Sequence, residues 1–181
     1  MSLGLKKSVF GRFSVFIAGV GGQGVVYAGR MLSLALFEEG KYVSLRYTYG
    51  AEVTGTPVYS EVKVDLKPIV SPYVEDAEIA VVMHGRALNE ALKRLSCDGL
   101  LIVDEIVELP EDLVAKHIYR KPFIKATRSG RAGELGRYGT IAALGFLSRL
   151  GLIRLESLMR VAERGREADT TIEALRLGFK L

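Results

Sequence analysis

The chain has no tryptophan, one cysteine, two histidines and five prolines in 181 residues. A lone thiol, Cys97, excludes an internal disulfide, a four-cysteine zinc site and a cluster held by this chain's own cysteines. It fits a reducing compartment, so a cytoplasmic setting is expected. His84 and His117 lack metal-ligand spacing, and no metal site is expected. No apolar run approaches the ~20 residues of a membrane helix. Lys6 and Lys7 near the start are not followed by the apolar stretch of a secretory signal. The charge excess is also small: 25 basic against 21 acidic residues give +4, spread along the chain. That permits nucleic-acid binding without arguing for it, and no nucleic-acid or membrane partner is expected. No nucleophile elbow, P-loop lysine or carboxylate dyad is recognisable, so no catalytic residue is assigned.

What the chain does have is apolar residues, 49% of the total, and glycine, 20 residues. At this length folding hides roughly 70% of the unfolded surface, enough for one well-filled core. Residues 1–12 read as a tail, with Met1–Leu3 left over from expression, and 13–181 as one domain. Arg12 to Ala18 reads as a buried parallel strand, because its apolar residues run almost unbroken. From Gln23 the period becomes helical: Val25, Ala28, Met31, Leu32, Ala35 and Leu36 share a face, and Gly40 ends the helix. Further strands are expected at Tyr42 to Tyr47, at Pro57 to Val64 (alternating, hence exposed on one face), at Glu78 to Met83, at Gly99 to Asp104 and at His117 to Tyr119. A helix is expected from Arg86 to Leu95. Three more follow: Ile141 to Leu150, apolar all round and so buried, Arg154 to Glu163 ended by Gly165, and Ala168 to Leu177 ended by Gly178. Strands alternating with helices predict a three-layer, Rossmann-like α/β domain with a mostly parallel sheet and C-terminal helices. Ligands of such sheets gather at the C-terminal strand ends.

Three segments carry candidate chemistry, the first two of them at such ends. The first is Gly19-Val20-Gly21-Gly22-Gln23-Gly24, between a strand and a helix. Its glycines permit positive φ and close approach, and first-turn amides have no internal partner and favour negative charge. The G-x-G-x-x-G spacing at Gly19, Gly21 and Gly24 matches a dinucleotide turn. However, the second strand lacks the acidic residue at its end that would hold a ribose. The glycines alternatively serve only a tight turn. The second segment is Tyr47 to Gly55, where Tyr49, Gly50, Glu52 and Gly55 offer a surface to a flat ligand or partner, or make a plain solvent loop. The third holds Arg128, Arg131 and Arg137 among glycines, suited to phosphate or carboxylate, or to water. His84 is expected to be structural. Asp104 and Glu105, ending a core strand, read as ligand-side residues or as caps.

Taken together, Gly19 to Gly24 followed by Val25-Val26-Tyr27-Ala28-Gly29-Arg30 resembles the opening of the gamma subunit of the 2-oxoacid:ferredoxin oxidoreductases. Thr48-Tyr49-Gly50-Ala51-Glu52-Val53-Thr54-Gly55-Thr56 is similar to that family's Ser-Tyr-Gly-Pro-Glu-x-Arg-Gly-Gly loop, without its proline, its arginine and its second paired glycine. Glu134-Leu135-Gly136, Ile141 to Gly145 and Ile172 to Gly178 resemble later family stretches, with Arg137 in place of an asparagine. The resemblance runs from about Phe13 to Gly178. It implies a multi-subunit enzyme that decarboxylates a 2-oxoacid (pyruvate, branched-chain, 2-oxoglutarate or indolepyruvate) on thiamine diphosphate. Electrons pass through iron–sulfur clusters to ferredoxin, and the acyl group goes to coenzyme A. The implied partners are thiamine-binding and ferredoxin-like chains, with coenzyme A as a further ligand of the glycine loop. This chain is expected to bind no cofactor alone, and a homodimer is an option for it in isolation. The alternative is a free-standing nucleotide-binding protein.

Overall fold

The computed structural model describes residues 11–48, 55–113, 117–128 and 137–181. Six strands form one sheet in the order β2-β3-β1-β4-β5-β6. They are β1 (Phe13–Val20), β2 (Tyr42–Thr48), β3 (Pro57–Asp65), β4 (Ala77–Val82), β5 (Leu95–Asp104) and β6 (His117–Lys121). β1, β4, β5 and β6 pair in parallel. β3 lies antiparallel between β1 and β2, and its neighbour β2 is antiparallel to it, so β3 alone opposes the common strand direction.

The sheet is covered on both faces, which is why β1 is buried along its whole length and reads as a continuous apolar run. Phe13, Val15 and Ile17 point into the larger core with α1 (Val25–Glu38), α3 (Phe123–Arg128), α4 (Arg137–Arg149), α5 (Leu155–Glu163) and α6 (Ala168–Lys180). Phe16 and Ala18 point the other way, into a smaller core with α2 (Leu88–Arg94) and Val107. α4 is buried from Tyr138 to Ser148, as its apolar circumference requires. α1 ends as the sequence predicts: Gly40, at φ 81°, donates to Phe37 O, and Lys41 N reaches Leu36 O at 3.3 Å.

Four expectations need correction. β3 is an interior strand and is not exposed on one face: Glu61 is buried and lies 3.3 Å from Arg46 and 3.9 Å from Arg94. On that face Glu61 meets Arg46 and Arg94, and Lys63 donates to Ser71 O and Tyr73 O. The segment 86–95 divides into a 3₁₀ turn at Gly85–Ala87 and the seven-residue α2, and β5 starts early, at Leu95. α3 went unforeseen; six residues carry too little periodicity to announce a helix. Gly178 does not stop α6, which continues to Lys180. A Cβ on Gly178 would stand 1.7 Å from Ala142 O, and one on Gly145 would stand 2.0 Å from Leu175 O. These two glycines let α4 and α6 touch backbone to backbone.

Candidate partner-facing site at the glycine turn

The turn between β1 and α1 is built around Gln23. Its side chain folds back into the protein, where Oε1 accepts from Val20 N at 3.0 Å and Nε2 donates to Met83 O at 3.1 Å. The side-chain amide thus closes β1 on itself and ties it to the residue after β4. Room for it comes from Gly19, whose Cβ would lie 2.7 Å from Gln23 Oε1. The sequence reading grouped Gln23 with the outward glycines; its side chain is 8% exposed and faces inward.

Gly22 (φ 94°) is exposed and Gly24 (φ 71°) occupies the helix N-cap, both in the left-handed region where glycine costs least. A glycine cap has no side chain to bond the helix amides. Among the described residues, the N–H groups of Gly22, Gly24, Val25, Val26 and Tyr27 meet no acceptor, and the first turn of α1 carries no acidic side chain. Among the described residues, the positive end of a 14-residue helix is therefore left without an acceptor or a counter-charge.

Other elements converge on this end. Gly21 N donates to Thr56 O at 3.0 Å, joining the turn to the start of β3. Arg86 Nη1 donates to Gly55 O at 3.1 Å, and Thr140 Oγ1 donates to Gln23 O at 2.6 Å. So the N-termini of β3 and α4 and the turn after β4 all meet the glycine turn. Arg86 and Thr140 escaped sequence reasoning. Thr140 is a buried hydroxyl directly ahead of the apolar run from Ile141 to Leu147, a signal that was readable; Arg86 bonds a carbonyl through the fold and left no signal. His84 Nδ1 accepts from Arg86 N at 3.1 Å, so this histidine caps the 3₁₀ turn, as the structural reading anticipated.

Arg128 closes α3 and Arg137 opens α4, so both belong to helix ends and not to a free loop. Tyr49, Gly50, Glu52 and Arg131 lie outside the described residues. Among the described residues no group of His, Cys, Asp and Glu is placed to hold a metal ion, and no helix is long and apolar enough to cross a membrane. A cavity of about 320 Å³ lined by Arg12, Ser14, Lys63, Tyr73 and Glu78 sits at the opposite end of β1. Within it Glu78 accepts from Ser14 N at 2.7 Å, and Lys63 donates to Ser71 O and Tyr73 O.

Asp104 at the end of β5 is fully buried and acts as a cap. Oδ1 accepts from Ile106 N at 3.1 Å and Oδ2 from Ile124 N at 2.8 Å. Burial pushes its carboxyl above the ordinary value of 3.8, although the backbone donors oppose that shift. A raised native pKa means the folded state holds the proton more tightly than the unfolded chain. This group's favourable contribution is then complete below 3.8 and is lost as pH rises through the native pKa. Asp104→Asn removes that dependence and leaves one amide without an acceptor, at a cost of ~1–3 kcal/mol. The variant's deficit in urea midpoint against the wild type should therefore narrow as pH rises; a deficit independent of pH would show that Asp104 does not titrate in this range.

The structure defines an α/β fold with an antiparallel hairpin inserted beside its glycine-turn strand. Residues 14–181 match the pyruvate ferredoxin/flavodoxin oxidoreductase family, and the chain belongs to that family. The common gamma subunit of the pyruvate/ketoisovalerate oxidoreductases of Pyrococcus abyssi is 35% identical over 107 residues, spanning 58% of this chain and 57% of that protein. The chain thus matches little more than half the length of that relative. Two solved structures align over nearly everything. Pyruvate oxidoreductase subunit PORC from Thermotoga maritima has a TM-score of 0.76 at 27% identity, covering 94% of this chain and 96% of its own. The gamma subunit of a keto/oxoacid ferredoxin oxidoreductase from Geobacter sulfurreducens has a TM-score of 0.79 at 23% identity, covering 94% and 95%, and supports the fold.

Proposed function

We propose that this chain is the gamma subunit of a 2-oxoacid:ferredoxin oxidoreductase, inactive by itself, that shapes the active-site surroundings of its complex. The carrying observation is the first turn of α1, whose amides meet no acceptor among the described residues, in a chain matching the family from residue 14 to residue 181. Those amides suit an anionic group: a phosphate of coenzyme A or a carboxylate of a partner chain. Gly19, Gly21, Gly22 and Gly24, with Tyr49, Gly50, Glu52 and Gly55 and the guanidiniums of Arg128, Arg131 and Arg137, form the partner-facing set. Thiamine diphosphate and iron–sulfur clusters belong to other chains in this reading, since one cysteine cannot supply a cluster's ligands. A cytoplasmic location goes with it.

Purification of the tagged chain from its host is expected to bring down thiamine-binding and ferredoxin-like chains, with 2-oxoacid- and coenzyme A-dependent reduction of ferredoxin. Recovery of the chain alone would sink the reading. Within that complex, Gly22→Val should raise KM for coenzyme A about tenfold, with kcat kept, if the turn meets a phosphate; weakened assembly with unchanged KM would assign the turn to a protein partner. The competing nucleotide-binding reading has a structural difficulty. β3 separates β2 from β1, so the end of β2 does not lie beside the glycine turn as a ribose-holding strand would. Calorimetry of the isolated chain with adenine and nicotinamide nucleotides should show no micromolar binding.

A further inference from the structure

The cavity of about 320 Å³ at the N-terminal end of β1 sets cations on one side against carboxylates on the other. Its base is one row of the sheet. Lys63 of β3 pairs directly with Ser14 of β1, and Glu78 of β4 bonds Ser14 from the other side. Directly opposed residues share a face, so Lys63 and Glu78 flank Ser14, two strand spacings or roughly 10 Å apart at the backbone. Segment 71–76 is pinned to this row at both ends. Lys63 Nζ donates to Ser71 O at 3.0 Å and to Tyr73 O at 3.1 Å, and Ser14 Oγ donates to Asp76 O at 3.1 Å. Arg12 joins Lys63 on the β3 side, where it lies 3.5 Å from Asp65. Glu75 and Asp76 join Glu78 from the segment that leads into β4.

The two signs do not neutralise each other. Among the described residues, no ion pair joins Lys63 or Arg12 to Glu75, Asp76 or Glu78. Lys63 spends two of its three N–H donors on carbonyls and keeps one. Glu78 Oε2 takes both bonds from Ser14, at 2.7 Å from N and 2.5 Å from Oγ, and Oε1 meets no donor among the described residues. Both side chains are half-buried, so each charge is partly withdrawn from water.

We propose that this cavity binds a free α-amino acid, with its carboxylate toward Lys63 and its ammonium toward Glu78 Oε1. A simple cation would face Lys63 and Arg12, and a simple anion would face three carboxylates. A neutral molecule would leave two half-buried charges without counter-charges. A zwitterion satisfies both, and the gap between Lys63 and Glu78 accepts one with a charge-assisted hydrogen bond of ~2.8 Å at either end. The volume is at the small end of the ~300–1,000 Å³ typical of ligand cavities, which leaves room for a modest side chain beside Val74. The matching 2-oxoacid has the carboxylate without the ammonium, so the site tells an amino acid from its oxo counterpart. It lies at the end of β1 remote from the glycine turn, so its failure would leave the subunit reading standing.

The test is calorimetry of the full chain with each of the common L-amino acids, and with ethylamine, propionate and pyruvate as partial probes of L-alanine. At least one amino acid is expected to bind with a Kd of about 1 mM or tighter and to raise the melting temperature. Each partial probe should bind at least about tenfold more weakly than alanine. Glu78→Gln and Lys63→Met should each weaken the bound amino acid at least about tenfold. Glu78→Gln keeps an acceptor for Ser14 and should keep the native circular dichroism; it decides alone if Lys63→Met unfolds. The proposal is overturned if no amino acid binds at about 10 mM. Ethylamine, propionate or pyruvate binding as well as alanine also overturns it, since one charge would then suffice. So does binding that survives Glu78→Gln, which would put the ligand elsewhere.

Discussion

Adding one methyl group at Gly178 is expected to lower the melting temperature by about 10 °C, from an overpacking cost at the upper end of the ~1–3 kcal/mol range at roughly 3 °C per kcal/mol. The reason is geometric: the new Cβ would be 1.7 Å from Ala142 O, 2.5 Å from Ala142 C and 2.7 Å from Ala142 Cα. All three are backbone atoms of α4, which is packed on every side, so no side chain can swing away to make space. Relief requires α4 and α6 to part, and with them Leu144, Leu175 and the core they seal. Gly22→Ala is the control. Nothing lies within 4 Å of its added Cβ, and only the positive φ of 94° opposes it, at ~1–2 kcal/mol. Thermal unfolding compares the two directly; equal losses would show that the α4–α6 contact yields more easily than its geometry indicates.

Gln23→Leu should cost ~2–6 kcal/mol, because two buried backbone groups lose their partners together, at ~1–3 kcal/mol each. Val20 N and Met83 O have no other route to water: Val20 is 9% exposed and Met83 fully buried. Gln23→Glu separates the two bonds. The ionised carboxylate still accepts from Val20 N but faces the lone pairs of Met83 O, and its burial raises its pKa. Protonated, it can donate to Met83 O as the amide does. Stability of the Glu variant should therefore approach the wild type at about pH 4 and fall as pH rises through the raised native pKa, where the Leu variant shows no such trend. Urea midpoints at several pH values check this. A Glu variant equally stable at all pH values would mean that water or a local shift relieves the carboxylate.

These two sites show how far the sequence could be read. The βα unit at Phe13 to Glu38 was legible because a buried strand and an amphipathic helix write different periods on either side of a glycine turn. The buried character of α4 was legible for the same reason. Gly178 was misread because a glycine near the end of a helical pattern looks like a stop; only the partner helix reveals it as a contact. Gln23 was misplaced because an amide among glycines looks solvent-facing, and its two bonds reach Val20 and Met83 through the fold. β3 was taken as half-exposed because alternation cannot say whether polar side chains meet water or, like Glu61, meet arginines. The inserted hairpin position of β2 and β3 carries no local mark at all, since sheet order is decided by long-range pairing.

That inserted position has a consequence for how such chains can diversify. The loop between β2 and β3 is closed by two strands that pair with each other along seven residues. The ladders joining β1, β4, β5 and β6 do not pass through it. Both described ends of that connection are held, by the β2–β3 ladder and by Gly21 N on Thr56 O, so a change of length between them leaves the register of the sheet intact.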